Sequence, residues 1–142
     1  MPDRPELAVL REKLGDYLQE SIAVVVEDAG DFTIPHDSAL VRVRAIPWTR
    51  GRTVARVWSV TNVGVRIDGD LTSLLLTANG QILFGGFRLD ESVPAVLLVH
   101  SLLGEYVNRG ELEAAVAAVA VEAASYGPAL KEQFGGRLAT DP

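Results

Sequence analysis

The 142-residue chain has no cysteine and only two histidines, His36 and His100. Without thiols it has no disulfide framework, no thiolate nucleophile and no cysteine-based zinc site. Long apolar runs are also missing, and none approaches the roughly 18 residues that span a bilayer. The start, Met1-Pro2-Asp3-Arg4-Pro5-Glu6, is charged and then amphipathic rather than basic and then apolar, so it does not read as a secretory signal. These absences lead to the expectation of a cytoplasmic protein with no membrane partner, no metal and no cofactor. Lysine is scarce as well, with two against eleven arginines.

What is present suffices for one domain. A chain of this length buries roughly two thirds of its unfolded surface and needs no covalent staple. Hydrophobic residues make up 48% and the net charge is −6. With a mean hydropathy of +0.19, the composition points to apolar surface shared between chains. An Ala- and Val-rich coding bias produces the same figures. Residues 1–136 read as a single domain and 137–142 as a loose tail.

Periodicity orders the elements. Leu7, Leu10, Leu14, Tyr17 and Leu18 mark one face of a helix over 5–19. A β-branched run from Ile22 to Val26 reads as a strand, ended by the turn-rich Glu27-Asp28-Ala29-Gly30-Asp31. Phe32-Thr33-Ile34 makes a short strand before Pro35. Strands follow over 40–46 and 53–60, the latter able to run on to Val63, with a turn from Pro47 to Gly51. The links are too short for crossovers, so the pairing is antiparallel. Asp70 reads as the cap of a short helix with Leu71, Leu74, Leu75 and Ala78 on one face, closed by Asn79-Gly80. A strand over Gln81–Leu89 carries Gly85-Gly86, which signals a bulge or a close backbone approach. A turn at Asp90-Glu91-Ser92 leads to a strand over 95–103. A long helix over 109–134 carries Leu112, Val116, Val119, Ala123, Tyr126, Leu130 and Phe134, with a kink expected at Gly127-Pro128. The fold class is α+β: about five antiparallel strands flanked by terminal helices, with a short middle helix.

The stretch from Leu71 through Asn79 to Gly85-Gly86-Phe87 resembles a Leu-rich helix and following strand of the YbjN family, whose fold is that of class I type III secretion chaperones. Val57-Trp58-Ser59-Val60 resembles the segment just before that helix. Glu111-Leu112 through Leu130 to Phe134-Gly135-Gly136 is similar to the final helix and Phe-Gly-Gly ending of actinobacterial members. Gly86 stands where members often carry Arg, and Tyr126-Gly127-Pro128 departs from an acidic segment common there. The resemblance implies a homodimeric, chaperone-like module that binds a protein or peptide, with no catalytic residues to carry over. It also implies dimer contacts along the middle helix and the next strand, at Leu71, Leu74, Leu75, Phe84 and Phe87.

Chemistry-bearing residues are few. His36 neighbours Asp37, but no nucleophile completes a catalytic set, and the reading is an exposed loop histidine. His100 shares parity with Val96, Leu98 and Leu102 and reads as a half-buried sheet residue. Glu27, Asp28 and Asp31 lack the spacing of a calcium loop. Asp68 and Asp70 flank Gly69, where helix capping accounts for a carboxylate. Gly85-Gly86 lacks the Lys-Ser/Thr of a phosphate loop. No enzyme class is indicated.

The charge pattern carries more. Between Asp37 and Asp68 lie thirty residues with no acid and six arginines, a +6 segment that leaves −12 for the rest of the chain. Arg42, Arg44, Ile46 and Trp48 share parity on one strand; Arg56 and Trp58 share it on the next. If those faces coincide, the sheet presents a basic surface bearing Trp and Arg, the types that dominate binding hot spots. One reading is a solvated face with arginines paired to helix acids. Another is a surface for an acidic or extended peptide, helped by strand addition at a sheet edge, or for a second subunit. A third is a regulatory protein binding nucleic acid, against which the overall acidity weighs.

Overall fold

The computed structural model describes residues 4–22 and 25–142. Helix α1 (Pro5–Ser21) begins on a proline, whose fixed φ and missing N–H suit the first turn. Leu7, Leu10, Leu14 and Leu18 form its buried stripe. Of the Ile22–Val26 run, residues 23 and 24 lie outside the described residues, and β1 (Val26–Asp28) begins at its end. The meander continues through β2 (Asp31–His36), β3 (Ala39–Pro47) and β4 (Thr53–Val63). β2 takes in Pro35 rather than stopping before it. Among the described residues β1 meets β2 at Asp31, Phe32 and Thr33, and Pro35 pairs with Leu40 of β3. A single 3-10 turn at Thr49–Gly51 joins β3 to β4.

Helix α2 (Gly69–Asn79) is capped by Asp68, not by Asp70 as the sequence suggested. Asp68 has the extended backbone a cap requires, and its carboxylate accepts from the Leu71 N–H at 2.9 Å. Asp70 already lies in the first helical turn. The strand expected over 81–89 is shorter: β5 covers Gly86–Asp90. Gly85 has φ +83°, and a Cβ there would stand 2.7 Å from the Val99 carbonyl oxygen. The close backbone approach is therefore real, and it keeps residues 81–85 out of the ladder. Strand β6 (Ala95–Leu103) and helix α3 (Arg109–Phe134) occupy the spans the periodicity gave. α3 is capped by Asn108 and runs continuously through Pro128.

Residues 137–142, expected as a loose tail, are instead tied down. β7 (Arg137–Leu138) pairs Asn62 and Val63 of β4. The Ala139 N–H donates to the Thr61 carbonyl, and the Thr140 hydroxyl to the Ser38 carbonyl. The reason is a gap: β3 pairs β4 only up to Arg42–Trp58, so the end of β4 lacks a neighbour on that side until β7 supplies one.

The sheet thus has seven strands rather than about five, in the order β1-β2-β3-β4-β6-β5 with β7 beside the end of β4. Alternation sends Val41, Val43, Ala45, Ala55 and Val57 to one side, where they join the leucines of α1, Leu71 and Leu75 of α2, and Leu112, Val116 and Val119 of α3 in a single core. All three helices contribute to that core. Among the described residues, no helix covers the opposite face of the sheet.

Candidate functional site

Register decides what the bare face presents. Arg44 stands opposite Arg56 and Arg42 opposite Trp58, so the two strand faces paired from sequence do coincide. On β4's other side, Arg56 pairs with Ser101 and Trp58 with Val99 of β6; Leu97 pairs with Arg88 of β5. The face is banded across the strands. Ile46, Val54 and Leu103 form an apolar row; Arg44, Arg56 and Ser101 a polar one; Arg42, Trp58 and Val99 a mixed one; Val60, Leu97 and Arg88 the next.

These rows enclose a shallow open cup of about 540 Å³. Ile46, Trp58, Leu97 and Val99 supply its apolar surface, and Arg44, Arg56 and Arg88 its cations; Asp90 and Glu91 line it from the β5–β6 turn. Four of the six residues expected to bind therefore converge here: Arg44, Ile46, Arg56 and Trp58. Arg42 is exposed in the row of Trp58, beside the cup rather than in its lining. Trp48 does not join them. β3 ends at Pro47, and Trp48 turns away under Arg52, whose guanidinium lies 5.5 Å from its ring centre. The Trp48 carbonyl accepts from Arg4 at the start of α1. Strand parity does not carry past the last paired residue.

The arginines differ in state. Arg44 makes a two-point contact with Asp31 of β2, at 2.7 and 2.5 Å, and lies 5.2 Å from the centre of the Trp58 ring. The hydrogen bond from Arg44 holds the Asp31 carboxyl below its usual range, helped by the charges of Arg44, Arg42 and Arg11. Arg56 makes no ion pair among the described residues, and its Nε is covered without a hydrogen-bond acceptor. Pairing with helix acids, the bland reading of this face, is thus realised at neither position: Arg44 takes a neighbouring strand's acid and Arg56 none.

Leu97, Val99, Arg88 and Asp90 were not singled out from the sequence. The parity that put His100 with Leu98 and Leu102 places Leu97 and Val99 on the other side. Pairing of β4 with β6 rather than with β5, the next strand in the chain, is a long-range fact that local pattern does not carry.

The remaining candidates fall elsewhere. His36, placed in a loop from sequence, is the last residue of β2; its Nε2 lies 3.7 Å from Asp37, and both side chains are exposed. His100 is half-buried on the helical side, edge-on to Phe84 at 5.9 Å, and burial pushes its pKa down. Among the described residues, no group of three or more His, Asp or Glu is placed to hold a metal ion. None of their helices is long and apolar enough to cross a membrane.

The five residues implied as dimer contacts divide. Leu71, Leu75 and Phe87 are buried in the chain's own core. The spacing of Leu71, Leu75 and Ala78 is the inward stripe of α2. Leu74 is half-buried beside α3. Phe84 is 54% exposed, next to Leu83 at 88%, and Leu76 on α2 is 68% exposed. Leu76 and Leu83 are the apolar surface that sequence reasoning missed, although helical period assigns Leu76 to the outside. Asn79 fastens this segment: its side chain accepts from the Phe87 N–H at 2.6 Å and donates to the Phe87 carbonyl at 3.3 Å.

Residues 7–142 match the family model TY-Chap1, described as "T3SS (YopN, CesT) and YbjN peptide-binding chaperone 1". No curated protein matches the chain. Among solved structures, a chain of the HopA1–SchA chaperone–effector complex is similar with a TM-score of 0.62 at 13% identity, over 92% of this chain and 99% of that one. A chain of the ExsC–ExsE complex is similar with a TM-score of 0.62 at 18% identity, over 87% of this chain and 95% of that one. At these identities the likeness is one of fold.

Proposed function

The chain belongs to the TY-Chap1 family of peptide-binding chaperones, and from that premise we propose that it holds a segment of another protein, without catalysis, on the bare face of its sheet. The observation that carries this reading is the cup, where an apolar floor and three arginines meet on a surface no helix covers. Apolar contact supplies affinity there and the arginines supply orientation. The edge of β5, paired only with β6, adds a place for a client strand to extend the sheet. Both solved neighbours come from complexes, one of them titled chaperone–effector, which favours a protein partner. Net charge favours it over nucleic acid, because a chain of net charge −6 works against the approach of a polyanion. In this account the protein works in the cytoplasm, with no membrane step and no cofactor. Its working form is a homodimer, with Leu76, Leu83 and Phe84 as the apolar patch that a second copy covers.

The test uses a client segment recovered with the protein and then purified. Leu97→Asp puts a charge into the floor of the cup, whereas Val121→Asp puts one on the outer side of α3, where Val121 is exposed. L97D is expected to weaken the client about tenfold or more while V121D leaves it unchanged. Equal effects of the two substitutions refute the assignment of the face.

A further inference from the structure

The banding of the face has a period. Along a strand, residues of one face are two apart, about 6.7 Å. An extended segment lying along the strands has the same spacing, so its positions i, i+2 and i+4 meet three successive rows. The rows here alternate in character. Ile46, Val54 and Leu103 are apolar; Arg44, Arg56 and Ser101 are polar; beyond them Trp58 and Val99 restore an apolar surface, with the exposed Arg42 at the β3 end of that row.

Within the polar row the two cations are not equivalent. Arg44 is already neutralised by both oxygens of Asp31 and turned over Trp58. Arg56 lines the cup half-buried, makes no ion pair among the described residues, and has its Nε shielded from solvent with no acceptor. A partly desolvated, uncompensated guanidinium is a strong receptor for a carboxylate, because the hydration it would lose on pairing is already reduced. The acids of the cup do not meet this demand. Asp90 is held in its own turn by the Ser92 hydroxyl at 2.6 Å, and Asp90 and Glu91 enter from the opposite rim with Arg88 beside them.

We propose that the client segment is extended and carries an acidic residue with an apolar residue two positions away on each side. The acid pairs with Arg56. One apolar side chain rests on Ile46, Val54 and Leu103, the other on Trp58 and Val99. The pattern reads the same in both chain directions, so the banding fixes spacing and leaves direction free. The proposal rests on the reading of this face as the client site and adds the chemistry of the client.

The test uses short synthetic peptides of one composition. The first places Leu, Glu and Leu at alternate positions, the second replaces Glu by Gln, and the third moves Glu one position so that it points to the other side. Trp58 reports binding in a Trp48→Phe background, since the chain has two tryptophans. The first peptide is expected to blue-shift Trp58 emission saturably, because an apolar side chain covers the ring. The Gln and shifted peptides are expected to bind about ten- to a hundredfold more weakly, as loss of a charged hydrogen bond implies. Arg56→Gln is expected to abolish the preference for Glu, while Arg56→Lys retains part of it. Equal affinity for all three peptides overturns this inference; if L97D still abolishes that binding, the client-site reading survives it. No binding of any peptide also overturns it, and client binding that survives L97D then removes the underlying reading as well. Competition by a single-stranded oligonucleotide as effective as the Glu peptide overturns it in favour of a polyanion.

Discussion

At the scale of residues, the pair Asp31–Arg44 sets the electrostatics of the face. It is only partly buried, with side-chain exposures of 30% and 48%, so screening limits its contribution to stability to about 1 kcal/mol or less. The sign follows from the lowered Asp31 pKa. The carboxylate is favoured in the folded state, so its stabilisation is present above the unfolded pKa of about 4 and is lost as pH falls through the lower folded value. Asp31→Asn is therefore expected to be slightly less stable than the parent near neutral pH, with the gap closing in acid, as read by urea unfolding at both pH values. For binding the sign reverses. D31N releases Arg44 and raises the positive charge of the cup, so affinity for an acidic client is expected to rise. Weaker binding by D31N would show that the pair orients Arg44 for the client rather than competing with it. Sequence showed that Arg44 and Arg56 were unusual, since no acid lies near them in the chain. It did not show which arginine was spent, because Asp31 reaches Arg44 across a strand pair, a contact local pattern does not encode.

At the scale of elements, the long periodic segments were legible and the joints were not. α3 follows from its 3.6-residue stripe; the pattern over 95–103 fits helix or strand, and β6 follows from Val96, Val99, the preceding Pro94 and the hairpin-length turn. Alternation along β3 and β4 placed Arg42, Arg44 and Ile46 opposite the core. The middle of the chain departs from pattern where backbone geometry decides: Asp68 rather than Asp70 has the extended conformation of a cap, and Gly85 at positive φ stops β5 from beginning at Gln81. The C-terminal segment looked loose because it is short, polar and glycine-led. Gly136, with φ +73° and no room for a Cβ, which would run into the Val63 carbonyl, is what lets the chain turn back and pair with β4. Removing residues 137–142 is expected to lower the unfolding midpoint. It should also speed amide exchange at the end of β4, around Asn62 and Val63, which loses its ladder partner. Unchanged exchange there would mean that β7 adds nothing to the sheet.

At the scale of the whole molecule, the arrangement separates tasks: three helices and one sheet face build the core, and the other face is left for a partner. The charge follows the same division in part: the acid-free segment between Asp37 and Asp68 forms the centre of the bare face, and Asp31, Asp90 and Glu91 stand at its margins. The exposed Leu76, Leu83 and Phe84 are not in the lining of the cup, so the proposed dimer and the proposed client would use different surfaces. Light scattering at micromolar concentration is expected to give twice the 15.2 kDa chain mass, and Phe84→Asp to halve it; a parent of single-chain mass contradicts the dimer. The resemblance seen in the Leu71–Phe87 stretch and the C-terminal helix led to the right family. The buried half of the implied dimer contacts shows its limit, since a family likeness transfers elements more safely than individual side chains.

The central claim is that a protein segment is held on the helix-free sheet face. Backbone and arginine side-chain NMR shifts on titrating the alternating Leu-Glu-Leu peptide test it most directly. The account predicts perturbations at Arg44, Arg56, Trp58, Leu97 and Val99, with the Arg56 Nε–H moving most. Shifts confined to α1 and α3, with these residues unmoved, would contradict it.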